Sequence, residues 1–466
     1  MTQAQFGFRT LFISAAVGFL VGGVYTSSRL NRDGVYRDLA AVAEAMQIIH
    51  ANHVSPPENR VLLQDAIAGM VVNLDEYSEY LDPETLAMLD ENTEGYFVGI
   101  GIEVAPSPKG VAIVTVFPNS PAEAAKIQAG DIIQVIDGKD IIGLPLDASI
   151  SMIRGEIGST VRLSVLREDA ILDFYAVRSI VEMEILAAEL LQGDVGWLRL
   201  YQFTEDVSSQ VRESILELES RTSNGLQGLI LDMRGNPGGL LHEALRVVDL
   251  FLDEGTMLSL SGVSQPGPGT AWNARRSDTI YRGPMVTLVD RSAASASEVV
   301  AGSLQDNERS LIVGQTSFGK GSVQAVIPLR VGGALKITTS HYLTPSGRCI
   351  HREGIKPDVV TYDTREADAN PHLIPRDVEI DAILAEDDMR ERERIGCTDP
   401  KLPERGAVHH LDVARVSEEH RVFVEGDEDP SVSAALSVLA GHLGTTAPYA
   451  PAMIEDPEPT PTDDLP

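Results

Sequence analysis

At 466 residues the chain is too long for a single hydrophobic core, so two to four domains are expected. Hydrophobic residues at 43% and charged residues at 23% fit a globular protein, while 37 Lys plus Arg against 69 Asp plus Glu leaves a net charge of −32. A body that acidic repels phosphate backbones, which argues against nucleic-acid binding.

The chain opens with a targeting signal. Between Arg9 and Arg29 runs an uncharged stretch, Thr10 to Ser28, centred on LFISAAVGFLVGGV. Its length is close to the roughly 20 residues needed to cross a bilayer. No convincing A-x-A site follows, so residues 1–34 read as a signal anchor, with a cleaved signal peptide as the rival. Residues 35–84 carry helical spacing at Leu39, Val42, Ala43 and Met46, then at Leu62, Leu63, Ile67 and Val71.

From 85 to 180 the texture changes to short β runs: YFVGIGIEV, GVAIVTVF, DIIQVIDG, TVRLSVLRE and ILDFYAV. Between two of them SPAEAAKI starts a short helix with Ser-Pro. A small antiparallel module follows from that spacing. Phe97, Val98, Gly99, Ile100, Gly101 and Ile102 offer backbone amides for a terminal carboxylate and a strand edge for a peptide. Val98, Ile100 and Ile102 alternate with glycines, giving one apolar face for a C-terminal side chain. The competing reading is a β module used only for packing.

From 181 to 365 strands and helices alternate, the signature of an α/β domain. Helices are expected over Ser208–Arg221, Leu240–Leu252 and about Ser297–Gln305. Residues 366–466 form a charged extension with one clear helix, Pro430 to Leu443, and a disordered end, PEPTPTDDLP. Two cysteines, Cys349 and Cys397, cannot make a disulfide framework, and whether they pair is open.

Three segments of the α/β region carry chemistry. In LDMRGNPGGLL, Gly238 and Gly239 bare backbone N–H groups at a helix start, where an oxyanion is favoured; a ligand-free tight turn is the alternative. In DRSAASASEVVAGSLQD, Ser292, Ser295 and Ser297 are candidate nucleophiles beside small residues. Yet Ser295-Ala-Ser-Glu298 also matches a capping box that merely closes a helix end. In SFGKGSVQ, Lys320 stands between two glycines, where a desolvated amine can act as general base; a solvated turn lysine is the alternative. Gln324 can orient the amine only if the chain bends at Gly321, because four residues of straight strand span about 13 Å. His242, His341 and His351 keep a Ser-His-Asp arrangement in play. No metal site is expected, since H-E-x-x-H is missing and His409-His410 falls in the charged extension.

Together these segments resemble the C-terminal processing peptidases (tail-specific proteases). The likeness runs from about Met70 to Asp358 through GMVVNLDEYSEYLDPE, GIGIEV, SPAEAAKIQAGDIIQVIDG, MIRGEIGSTVRL, LDMRGNPGGLL, SASEVVAGSLQD, SFGKGSVQ and ITTSHYLTPSGR. It implies a multidomain α+β chain: membrane segment and helical region, PDZ domain, α/β serine protease domain and acidic extension. It further implies Ser295 as nucleophile, Lys320 as base assisted by Gln324, and an oxyanion hole from Ala296 with Gly238 or Gly239. Ala293 departs from the family's SASASE run, whose middle serine carries the chemistry and is kept. The implied activity is cleavage of proteins near C-terminal tails held by the PDZ domain, without a cofactor, on the outer side of a cell membrane. An inactive PDZ adaptor is the alternative, and a homo-oligomer is left open. A Ser–Lys amidase of the S-x-x-K type fits poorly, because Ser295 and Lys320 stand 25 positions apart.

Overall fold

The computed structural model describes residues 38–262, 271–362, 409–412, 423–424 and 427–442. The membrane segment expected at Thr10–Ser28 and the expected disordered end lie outside these residues. Among the described residues no helix is long and apolar enough to cross a membrane.

The chain divides into two units, residues 1–82 with 326–337, and residues 83–325 with 338–466. In the first, helices span 38–52 and Asn59–Val71, and strand Glu79–Leu81 pairs antiparallel with Ala334–Lys336. This unit buries Val71 and Leu81 but leaves Ile48, Val54, Met70 and Val72 exposed.

The second unit holds a small β module and a larger sandwich. In the module, strands Ile102–Ser107, Gly110–Val116, Ile132–Ile136, Thr160–Arg167 and Ala170–Val177 form one antiparallel sheet in that order. Alternating apolar residues fill its core, among them Ile113, Ile133, Val161, Leu163 and Val165. Ser120 caps the four-residue helix Pro121–Ala124, its Oγ accepting the Glu123 N–H at 3.2 Å, as the Ser-Pro start predicts. Strand Tyr96–Gly99 leads into the module, and Ser179–Glu182, paired antiparallel with it, leads out.

The sandwich is built on a seven-stranded sheet. Leu186–Leu191 pairs antiparallel with Val195–Leu200; then Gly228–Asp232, Met285–Val289, Leu311–Gly314, Val359–Tyr362 and His409–Asp412 add in parallel. Every residue of Gly228–Asp232 and Met285–Val289 is buried, as strands covered on both faces require. Leu229 and Leu231 point to one face, towards helices Val207–Ser220, Leu241–Asp249 and Ala296–Asp306. Ile230, with Trp197 and Val313, points to the other, where the helix Pro430–His442 lays Val432, Leu436 and Leu439 against it.

The extension therefore contains more than the one helix expected, since His409–Asp412 adds a seventh strand. The crossover helices lie within a residue of expectation except the second, which ends at Asp249 instead of Leu252. Cys349 is buried and disulfide-bonded, and Cys397 lies outside the described residues.

Candidate active site

Two adjacent parallel strands, Gly228–Asp232 and Met285–Val289, each end in a turn that opens a helix, and the two turns meet. The Asn236 carbonyl accepts the Ala294 N–H at 3.0 Å and the Ser297 hydroxyl at 3.0 Å. Asp290 Oδ1 accepts the Gly235 N–H from the first turn and the Ser292 and Ala293 N–H groups of its own. Gly238, at φ 104°, lies so close that an added Cβ would stand 2.8 Å from Ser295 Cβ and 2.9 Å from the Ala296 nitrogen. No other residue fits there.

The three candidate serines separate cleanly. Ser292 is exposed in its turn, and Ser297 is fully buried with its hydroxyl committed to Asn236. Ser295 is 8% exposed and sits at φ 56°, ψ −112°, a conformation non-glycine residues rarely hold without compensating contacts.

Glu298 supplies such a contact. Its Oε2 accepts the Ser295 N–H at 2.8 Å, the carboxylate half of the expected capping box. The same oxygen accepts the Lys320 N–H at 2.8 Å, while Oε1 accepts the Gly319 N–H and the Ser317 hydroxyl, each at 2.6 Å. One carboxyl group thus joins the Ser295 turn to the glycine-flanked lysine loop. Burial pushes the Glu298 pKa up, against the lowering effect of these donors. The sequence reading took Glu298 only as a cap; S-x-x-E was the one signal for it.

Lys320 is half-buried. Behind it, Gly321 passes so close to the 349–354 segment that a Cβ would come 2.4 Å from the His351 nitrogen, and its carbonyl accepts the Tyr342 N–H at 2.7 Å. Gln324 lies in strand Ser322–Pro328, its Nε2 donating to Ser322 Oγ at 2.9 Å and Thr338 Oγ1 at 3.2 Å. Tyr342, which sequence reasoning missed, is buried; burial raises its pKa, against a lowering influence of the Ser295 side chain, so it stays protonated near neutrality. Among the histidines, His242 is on an exposed helix face 3.7 Å from Glu243, and the His341 and His351 rings meet edge-on at 5.1 Å.

For the expected oxyanion hole, the structure places Ala296 and Gly238 together, but the Gly238 N–H is donated to Asn236 Oδ1 at 2.9 Å. Gly239 instead packs on Phe203, in a bridge between the two backbones.

The six residues expected to hold a tail divide. Phe97, Val98 and Gly99 pair on one side with Val181, Ile180 and Ser179 in a two-stranded sheet, and the Val98 N–H is donated to Glu91 at 3.2 Å. Ile100 is 1% exposed and belongs to the module's own core. Gly101, at φ 78°, turns the chain into Ile102, where strand Ile102–Ser107 begins at one end of the sheet order. Strand Ile102–Ser107 thus has one edge without a strand partner among the described residues.

Residues 194–361 match peptidase family S41, and residues 98–176 match the PDZ domain. A carboxy-terminal-processing protease of Bartonella bacilliformis is 38% identical over 355 residues, 73% of this chain and 81% of that protein. The carboxy-terminal processing protease CtpA of Bacillus subtilis is 32% identical, covering 68% of this chain and 67% of its own. Among solved structures, a photosystem II D1 C-terminal processing protease is 31% identical, with a TM-score of 0.45 over 66% of this chain and 84% of that one.

Proposed function

The chain belongs to the carboxy-terminal processing proteases of peptidase family S41, serine proteases that here carry a PDZ domain, and on that premise we propose a Ser295–Lys320 mechanism fed by captured C-terminal tails. The observation that supports it is the shared Glu298 oxygen: the backbones of Ser295 and Lys320 are two hydrogen bonds apart.

In this mechanism the neutral Lys320 amine takes the Ser295 hydroxyl proton as Oγ attacks the scissile carbonyl carbon. The resulting oxyanion faces the Ala296 N–H and one from Gly238 or Gly239; use of the Gly238 amide requires that Asn236 Oδ1 release it. The Lys320 ammonium returns the proton to the leaving amine, and an acyl-enzyme remains. Water, losing a proton to Lys320, attacks the ester; the carboxylic acid leaves and the Ser295 hydroxyl is restored. Both N–H donors of Gln324 are occupied by hydroxyls, so its carbonyl oxygen is the end that would face the lysine.

Tail capture is assigned to the amides of Gly99–Ile102 and the edge of Ile102–Ser107, a strand-addition mode that needs a free carboxylate at the peptide end. The Thr10–Ser28 segment would tether the protease outside the cytoplasm. The decisive experiment is cleavage of an unstructured protein by Ser295→Ala and Lys320→Ala separately; retention of full activity by both overturns the mechanism. Amidating the substrate's C-terminus tests capture, with a raised KM expected.

A further inference from the structure

Beyond the residues that match the protease family, the described extension resumes at the apolar face of the sheet opposite the three crossover helices. Its helix starts after Asp429, whose Oδ1 accepts the Ser431 and Val432 N–H groups at 2.9 and 3.1 Å. The same carboxylate grips Arg234 with both oxygens, Nη2 to Oδ2 at 2.7 Å and Nη1 to Oδ1 at 3.2 Å. Asp232, fully buried and also bonded by Trp197 Nε1, holds Arg234 from the other side. Arg234 is thus clamped between two carboxylates, in the turn that carries Asn236 and Gly238.

We propose that Asp429 is a positioning residue for proteolysis: through Arg234 it fixes the 232–239 turn, and through that turn the surroundings of Ser295. This rests on the reading of Ser295 as nucleophile. The chain of contacts is continuous. Asp429 holds Arg234; two residues on, the Asn236 carbonyl holds Ala294 and Ser297, and Gly238 abuts Ser295 and Ala296. Asp232 grips the Nε and Nη2 edge of the planar fork and Asp429 the Nη1 and Nη2 edge, so without Asp429 the outer edge loses its carboxylate and the turn is no longer tied to the extension's helix. Both partners are half-buried: burial pushes the Asp429 carboxyl up, but Arg234 outweighs it and holds the group below its usual range.

The test is Asp429→Asn in the full chain. Asparagine caps helices as well as aspartate, so the helix start survives while the Arg234 clamp is lost. The expected result is a kcat lower by roughly 10-fold with KM unchanged, as a small misplacement of reacting groups produces. In an Arg234→Met background the same substitution should add nothing, because its partner is already gone. Leu436→Ala, in the same helix but packed on the sheet, should leave kcat at its wild-type value below the melting transition. A wild-type kcat in Asp429→Asn overturns the proposal, and so does an equal loss in both Arg234 backgrounds. If instead Ser295→Ala cleaves at the wild-type rate, it is the assignment of the nucleophile that fails.

Discussion

The two faces of the seven-stranded sheet are covered in different ways. One face receives three helices, each following a strand in sequence, so Gly238, Gly239, Ser295 and Ala296 all stand in strand-to-helix turns. The other face, among the described residues, is covered by a helix that begins at Pro430, far along the chain from the last parallel strand with a catalytic turn. The first arrangement is local, and ligand sites outside the carboxyl ends of parallel strands follow from it. The second depends on a distant segment, which the ion pair Arg234–Asp429 connects to the turn bearing Gly238.

Substitutions on the first face should change chemistry, and those on the second, Asp429 apart, should change stability. The largest effect is expected for Ser295→Ala, on the order of 10³-fold or more in kcat/KM, read with an unstructured substrate. Gly238→Ala comes next: a Cβ at φ 104° meets Ser295 and Ala296, and activity should fall on the order of 10²-fold in the same assay. Glu298→Gln should follow, because one carboxamide end must turn N–H donors towards N–H donors; a loss of roughly 10-fold in kcat is expected, with about 1–3 kcal/mol of stability in urea unfolding. On the opposite face, Leu436→Ala should cost about 2–4 kcal/mol by the same measurement while kcat holds.

The smallest effect is on pH dependence. The Asp429 pKa is lowered in the folded protein, so its contribution is complete above the unfolded value of about 3.9 and lost as pH falls through the folded one. The stability gap between wild type and Asp429→Asn should therefore close on acidification below about pH 4. A gap that widens there would contradict the assignment of the ion pair. Should Leu436→Ala abolish kcat in the folded protein, the division of labour between faces would itself fail.

The sequence made the first face legible because its signals are short-range. Strand, glycine turn, helix cap and small residues lie within a dozen positions in both LDMRGNPGGLL and SAASASE. What it hid is long-range. Glu298 looks like a helix cap until Ser317–Lys320 folds back onto it, and Tyr342 has no local pattern that points to Ser295. In the PDZ domain the alternation of Val98, Ile100 and Ile102 is real, but the turn at Gly101 breaks the strand, so Ile100 goes inward. The helix Pro430–His442 was itself legible in the sequence; that its apolar positions Val432, Ala435, Leu436 and Leu439 cover the sheet was not.

The late position of that helix has a consequence for biosynthesis. While the chain is being made, the strands bearing Trp197, Ile230 and Val313 emerge long before Val432 and Leu436 can cover them. During that interval the nascent protein presents a bare greasy surface for chaperones to hold, and Arg234 lacks its second carboxylate.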